Sequence, residues 1–247
     1  MSLEKTDAII IRLADFSESS RVVTMFTRDL GKVSALAKGA KQLKGPFDAA
    51  IDLLSTCRVV FLRKSSGALD ILTEAQLVKR FKPEGKSLHA VYGGYYVAEL
   101  LGGLTEDGDP HPRLFDEAVQ TLDRLQSDAQ PLMVVMRFEL LILREIGQLP
   151  EFDACQVCGR DVESTRGIRF WVSQGGLVCS ECGRPEYEHT EIAPGTIQLL
   201  RRMATADGSL AARLAPSPAQ YRELRRVVTS AICHAMERRP KMLRYLK

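Results

Sequence analysis

Histidine is scarce in this sequence, with four residues scattered at His89, His111, His189 and His234, and the glycine-rich loops that cradle phosphates are missing. There is no G-x-x-x-x-G-K-[ST], no G-x-G-x-x-G after a strand and no G-x-S-x-G. Nothing in the chain requires an enzyme, and binding is expected in place of catalysis. A membrane-spanning run is absent too. The most apolar stretch, Leu132 to Ile146, is interrupted by Arg137, Glu139, Arg144 and Glu145, and is too short for a bilayer core of about 30 Å. The first fifteen residues carry Glu4, Lys5 and Asp7 and no small-residue cleavage site, so a signal peptide is not expected and a cytoplasmic location is the default. Aromatic residues are 6% of the chain, with a single Trp.

What remains is ordinary globular material. The 247 residues are 45% hydrophobic and 26% charged, which fits one or two domains and excludes a disordered, collagen-like or coiled-coil chain. A net charge of +3 is too small to name a partner, but its distribution is uneven. Arg28, Lys32, Lys38, Lys41 and Lys44 fall in one segment with only Asp29 against them, and the last 26 residues are also basic. The segment from Glu99 to Gln130 is acidic. Two positive ends around a negative middle suit a polyanionic partner.

Four of the six cysteines form two C-x-x-C pairs, Cys155/Cys158 and Cys179/Cys182, with 20 residues between them. In a chain expected to stay in a reducing compartment this spacing predicts a tetrahedral zinc site, and four thiolates leave no open position, so the zinc would be structural. Gly159 and Gly183 follow the pairs and are expected to take left-handed turns, and Gln174-Gly175-Gly176 reads as the turn of a small hairpin. His189-Thr190-Glu191 resembles the H-x-E of zinc deaminases but follows the cysteines in place of preceding them, so it is read as coincidence. Cys57 and Cys233 stand among apolar residues as core fillers.

The hydrophobic period changes along the chain. Residues 1–80 carry five short β-type runs, Ala8–Leu13, Arg21–Thr27, Lys32–Lys38, Ile51–Leu62 and Leu69–Leu77, which suggest a small antiparallel barrel. Ser87–Leu104, His111–Ser127 and Leu132–Gly147 read as helices, the third apolar nearly all round and capped by Gly147. After the cysteine unit, helical pattern returns at Ala193–Thr205 and Pro218–Arg238. The helices on either side of the cysteine unit are expected to form one bundle.

The third run alternates strictly, with Val33, Ala35 and Ala37 on one face and Lys32, Ser34 and Lys38 on the other. The following loop adds Lys41 and Lys44, and Arg12 and Arg21 are candidate neighbours, which predicts a cationic rim suited to phosphates. Phe16, Phe26 and Phe47 are the candidates for stacking on bases. A solvated rim with no ligand is the simpler alternative. The basic ending, Arg238 to Lys247, fits either nucleic-acid contact or a tail clamped onto the helices.

Several motifs together resemble the RecO family of bacterial recombination mediators. They are the opening Ala8-Ile9-Ile10-Ile11-Arg12-Leu13, Phe16-Ser17-Glu18-Ser19-Ser20-Arg21, Asp29-Leu30-Gly31-Lys32 and Lys38-Gly39-Ala40-Lys41. To these are added Arg137-Phe138-Glu139, Cys155-Gln156-Val157-Cys158-Gly159 and the ending Lys241-Met242-Leu243-Arg244. The proline of a C-P-x-C knuckle is absent, with Gln156 and Ser180 in its place.

The resemblance implies an α+β multidomain chain. Its parts would be an N-terminal OB-fold barrel at 1–80, a helical bundle at 81–151 and 186–247, and an inserted four-cysteine zinc motif at 152–185. It also implies a non-enzymatic, nucleoid-associated DNA-repair protein that binds single- and double-stranded DNA and anneals complementary strands. With RecR it would load RecA on DNA coated by single-strand-binding protein, whose acidic tail it would dock. Two other readings stay open: a zinc-containing adaptor whose barrel binds RNA or protein, and a zinc hydrolase or deaminase.

Overall fold

The computed structural model describes residues 2–246 apart from 43–46, 48–49, 65–67, 84–86, 128–129, 163–166, 173, 187–188 and 206–213. Lys44 and the expected Gly45-Pro46 loop therefore lie outside the described residues. The chain divides into two compact units, Met1–Val135 with Lys241–Lys247, and Met136–Pro240.

Strands β1 (Ser2–Asp15), β2 (Arg21–Thr27), β3 (Gly31–Ala37), β4 (Thr56–Arg63) and β5 (Asp70–Lys79) close a barrel in the order β1-β2-β3-β5-β4. β1 extends well beyond the expected Ala8–Leu13. Its first half pairs with β4, from Ser2↔Arg63 to Ile9↔Thr56, and its second half with β2, from Ala8↔Thr27 to Asp15↔Arg21. A bulge between Ile10 and Arg12 bends it to serve both neighbours. The barrel is completed by a short parallel pairing of β3 with β5, Ala35↔Asp70 to Ala37↔Leu72. β4 begins at Thr56 and not at Ile51, because the chain first turns through Leu54 at φ +66° and bonds back to Ile10.

The period-two pattern decides what fills the barrel. Ala8, Ile10, Val23, Met25, Val33, Ala35, Ala37, Cys57, Val59, Phe61 and Leu72 form one buried cluster with Phe47 and Ala50. Burying a side chain such as Phe61 stabilises by about 1.5–3 kcal/mol. Ile9 and Phe26 have the opposite parity, yet both are fully buried. Helices α1 (Leu88–Leu104) and α2 (Pro112–Ser127) cover them, with the Phe26 ring 6.3 Å from that of Phe115 on α2. This outward apolar patch explains why α1 and α2 belong to the barrel's unit, although the hydrophobic period changes near residue 85.

A short 3-10 helix, Met242–Tyr245, completes that unit. The backbone N–H groups of Lys241 and Met242 donate to the two Glu99 carboxylate oxygens on α1 at 2.7 and 2.8 Å, and the Tyr245 ring stacks on Tyr92 at 4.8 Å. The tail is therefore clamped, which was one of its two expected roles.

In the second unit, most of α3 (Pro131–Glu145) packs with α4 (Pro194–Thr205) and α5 (Pro218–Ala235). α3 ends in paired bonds, Gln148 N–H to Leu143 O and Gly147 N–H to Arg144 O, with Gly147 at φ +71°, as its capping glycine predicts. α5 opens on a capping box between Ser217 and Gln220. Arg225 on α5 donates to the fully buried Glu139 on α3 at 2.6 Å, and Arg144 donates to Ala204 O at 2.9 Å. By compact unit, most of α3 groups with α4 and α5, while α1 and α2 group with the barrel. Between α3 and α4 lies a three-stranded sheet in the order β7-β6-β8, from β6 (Arg169–Trp171), β7 (Gly176–Val178) and β8 (His189–Glu191). Among the described residues, no helix is long and apolar enough to cross a membrane.

Candidate metal centre and nucleic-acid interface

The Sγ atoms of Cys155, Cys158, Cys179 and Cys182 all lie within 4.8 Å of one another, and those of Cys158 and Cys179 are 3.9 Å apart. A tetrahedron with metal–sulfur bonds of about 2.3 Å has an edge of about 3.8 Å, so the thiols already stand near ligand spacing. Two tight turns bring them there. Gly159 N–H donates to Cys155 O and Gly183 N–H to Cys179 O, while Cys179 N–H points at Cys155 Sγ at 3.4 Å. Gly159 takes the expected left-handed conformation at φ +69°. Gly183 does not; its turn closes without positive φ, which corrects that expectation.

The charges in this cluster are strongly interdependent. Burial raises the Cys155 thiol, but amide N–H groups of Cys179, Cys158 and Val157 outweigh burial and bring it down to about 6. Hydrogen bonds to Cys179 and Cys158 push Cys182 up to about 12. Four thiols this close cannot all ionise without a cation among them. Arg160 and Glu181, one beside each pair, form an ion pair at 2.8 Å. Among the described residues this is the cluster placed to hold a metal ion, and His189 is not part of it; its Nε2 lies 3.1 Å from Arg169.

The expected cationic rim is only partly realised. Arg12 and Lys38 are exposed, with no ion pair among the described residues. Arg21 and Lys41 converge on one carboxylate, with Asp15 at 3.3 Å from Arg21 and 3.0 Å from Lys41. Lys41 holds the Asp15 carboxyl below its ordinary value, and Arg21 adds to this. Lys32 is withdrawn from the rim altogether: its ammonium donates to Gly102 O at 3.0 Å and Thr105 O at 2.6 Å, at the end of α1. The alternation of β3 does place Lys32 outward, but α1 lies over that part of the face.

Three of these residues do share one end of the barrel. Arg21 pairs in register with both Asp15 and Ala37, Lys38 follows Ala37, and Lys41 N–H bonds to Ser19 O. That places Arg21, Lys38 and Lys41 beside the 16–20 loop, with Arg12 further along β1. Phe16, in this loop, is 64% exposed, whereas Phe26 and Phe47 are buried and are lost as stacking candidates. Sequence reasoning missed Arg63 and Lys64. They line a cleft of about 350 Å³ with Lys32 and Ser34 where β3 and β5 part, and Asp70 and Asp107 line it too, so its charge is mixed. The adjacent pair at the end of β4 was the available signal.

The family described as Recombination protein O N terminal matches residues 1–81, and Recombination protein O C terminal matches 85–244. The chain belongs to the RecO family. It is 37% identical to a DNA repair protein RecO of Rhodopirellula baltica over 97% of both chains. It is 32% identical to that of Anaeromyxobacter dehalogenans over its whole length and 96% of the relative. A Listeria monocytogenes RecO is 29% identical over 81% of this chain and 76% of its own. RecO membership assigns the chain a role in DNA repair and recombination. The N-terminal match ends close to β5 and the C-terminal match contains the whole cysteine cluster.

Proposed function

We propose that this chain is a non-enzymatic recombination mediator that binds single- and double-stranded DNA with one end of its barrel, read as an OB fold. It anneals complementary strands and, with RecR, promotes RecA loading on DNA coated by single-strand-binding protein, whose tail it docks. The metal held by Cys155, Cys158, Cys179 and Cys182 is a structural zinc, since thiolate ligands at this spacing select it and leave no open position. Its work would be cytoplasmic, at the nucleoid.

The observation that carries the DNA reading is the exposed Phe16 at the barrel end that also holds Arg21, Lys38 and Lys41, with Arg12 near by. Cations and a stackable ring suit a single strand bound without reading sequence. Annealing asks for no sequence readout by the protein, because base pairing between the strands supplies specificity.

The test is fluorescence anisotropy of labelled oligonucleotides at two or more salt concentrations. Arg12→Glu with Lys38→Glu is expected to weaken single-strand binding at least about tenfold and to flatten the log–log salt slope by about 1.4, two phosphate contacts' worth. Wild-type affinity in that folded variant rejects the interface. A wild-type chain that binds neither DNA nor RNA rejects the function and leaves the adaptor reading.

A further inference from the structure

Annealing requires two strands to be held at once, and the barrel end accounts for one. A second surface in the same unit has the matching chemistry. Leu88, Tyr92, Tyr95 and Glu99 recur along α1 at helical spacing, so they share one face. Leu88 is 62% exposed and Tyr95 40%. The tail adds Tyr245, 39% exposed and stacked on Tyr92, with the Arg244 guanidinium 4.6 Å from the Tyr245 ring centre. Lys241 and Arg244 are exposed.

Charge complementarity sets the partner's sign. Glu99 is the only acid in α1, and both its oxygens are engaged by the tail's backbone N–H groups. What this face shows to solvent is therefore two cations and half-exposed rings, with no acid of its own helix to oppose them. A guanidinium lying over a tyrosine is a ready stacking partner for a base, and Lys241 on the same tail is a cation for the phosphates. Stacked rings favour bases over an acidic peptide, which needs a pocket for its side chains.

We propose that the docked tail and the exposed face of α1 form a second single-strand site, with Tyr95 and the Arg244 guanidinium, backed by Tyr245, stacking on bases and Lys241 holding phosphates. The site rests on the annealing function proposed above and supplies its second strand. The clamp by Glu99 is what fixes the platform, since it uses the backbone groups of Lys241 and Met242 and leaves the Lys241 side chain exposed.

The experiment uses the full chain, metal loaded, with oligothymidine strands of about thirty nucleotides that carry 4-thiothymidine for photocrosslinking. Crosslinked peptides containing Tyr95 or Tyr245 are expected beside those from the barrel. Lys241→Glu with Arg244→Glu is expected to lower the rate of annealing about tenfold while a first short oligonucleotide still binds within about twofold of wild type; Tyr95→Ala, which leaves the tail clamp intact, is expected to do the same. Crosslinks confined to the barrel, together with wild-type annealing in both variants, overturn the second site and leave the barrel site standing. An acidic peptide that displaces no oligonucleotide supports it. A peptide bound at Tyr245 by a chain whose annealing ignores Tyr95→Ala overturns it in favour of a protein partner. Loss of DNA binding by the wild-type chain itself is the separate failure of the underlying function.

Discussion

Lys32 Nζ lies 2.6 Å from the carbonyl oxygen of Thr105, so a lysine on a barrel strand closes the C-terminal end of helix α1. The ammonium also takes Gly102 O at 3.0 Å and stands 3.5 Å from Asp107. The last carbonyls of a helix have no intrahelical donor and carry the negative end of its dipole, which a cation satisfies.

Lys32 is therefore a structural lysine, and its replacement separates stability from binding. Lys32→Met is expected to lower unfolding stability by about 1–3 kcal/mol, the cost of leaving partly buried acceptors unmade. Urea unfolding checks the stability, and oligonucleotide titration checks the salt slope, which should stay at the wild-type value. A flattened slope with unchanged stability would return Lys32 to the DNA interface.

Asp15 acts in the opposite sense, as the anion that occupies Arg21 and Lys41. Asp15→Asn is expected to tighten single-strand binding at low salt and to steepen the salt slope by up to about 1.4 if both cations turn to phosphates. The sign with pH follows from the lowered Asp15 carboxyl. Its pairing is fully present above the ordinary value of 3.8 and is lost only as the pH falls through a still lower folded value. Binding should thus owe nothing to Asp15 titration between about pH 5 and 8. Anisotropy titrations of the wild type and Asp15→Asn across that range check both statements.

These two residues also show where sequence reading stopped. The alternation of β3 was legible because a strand has a period of two, and the structure buries Val33, Ala35 and Ala37 as that period requires. The cysteine turns were legible because their ligands are local. What Lys32 touches lies at Gly102 and Thr105, far along the chain, and no local pattern announces that α1 will cross it. The sequence pattern shortens β1 for the same kind of reason: Glu4, Lys5 and Asp7 look like the start of a loop, yet pairing with β4 in register makes them strand. The Glu139–Arg225 pair was equally hidden, since a carboxylate in the apolar α3 makes sense only once α5 brings its partner.

The cysteine cluster yields the sharpest prediction. The thiols are near ligand spacing, but Cys182 is held protonated up to about 12 and the cluster's charges oppose one another, so a cation is needed to draw all four into thiolate form. Elemental analysis is expected to find one zinc per chain. Because binding displaces thiol protons, the apparent affinity should fall as the pH is lowered, and a chelator should strip the metal faster at about pH 6 than at about pH 8. Cys155→Ser with Cys179→Ser removes the two buried ligands and is expected to abolish binding. The loss should be local, since the barrel has its own buried core: proteolysis should open the segment around 152–186, while the barrel's resistance and its single-strand affinity stay at wild-type values. Retained zinc in the double variant would mean that other groups supply the ligands, and a barrel that melts with the metal would show that the two folds are not independently stable.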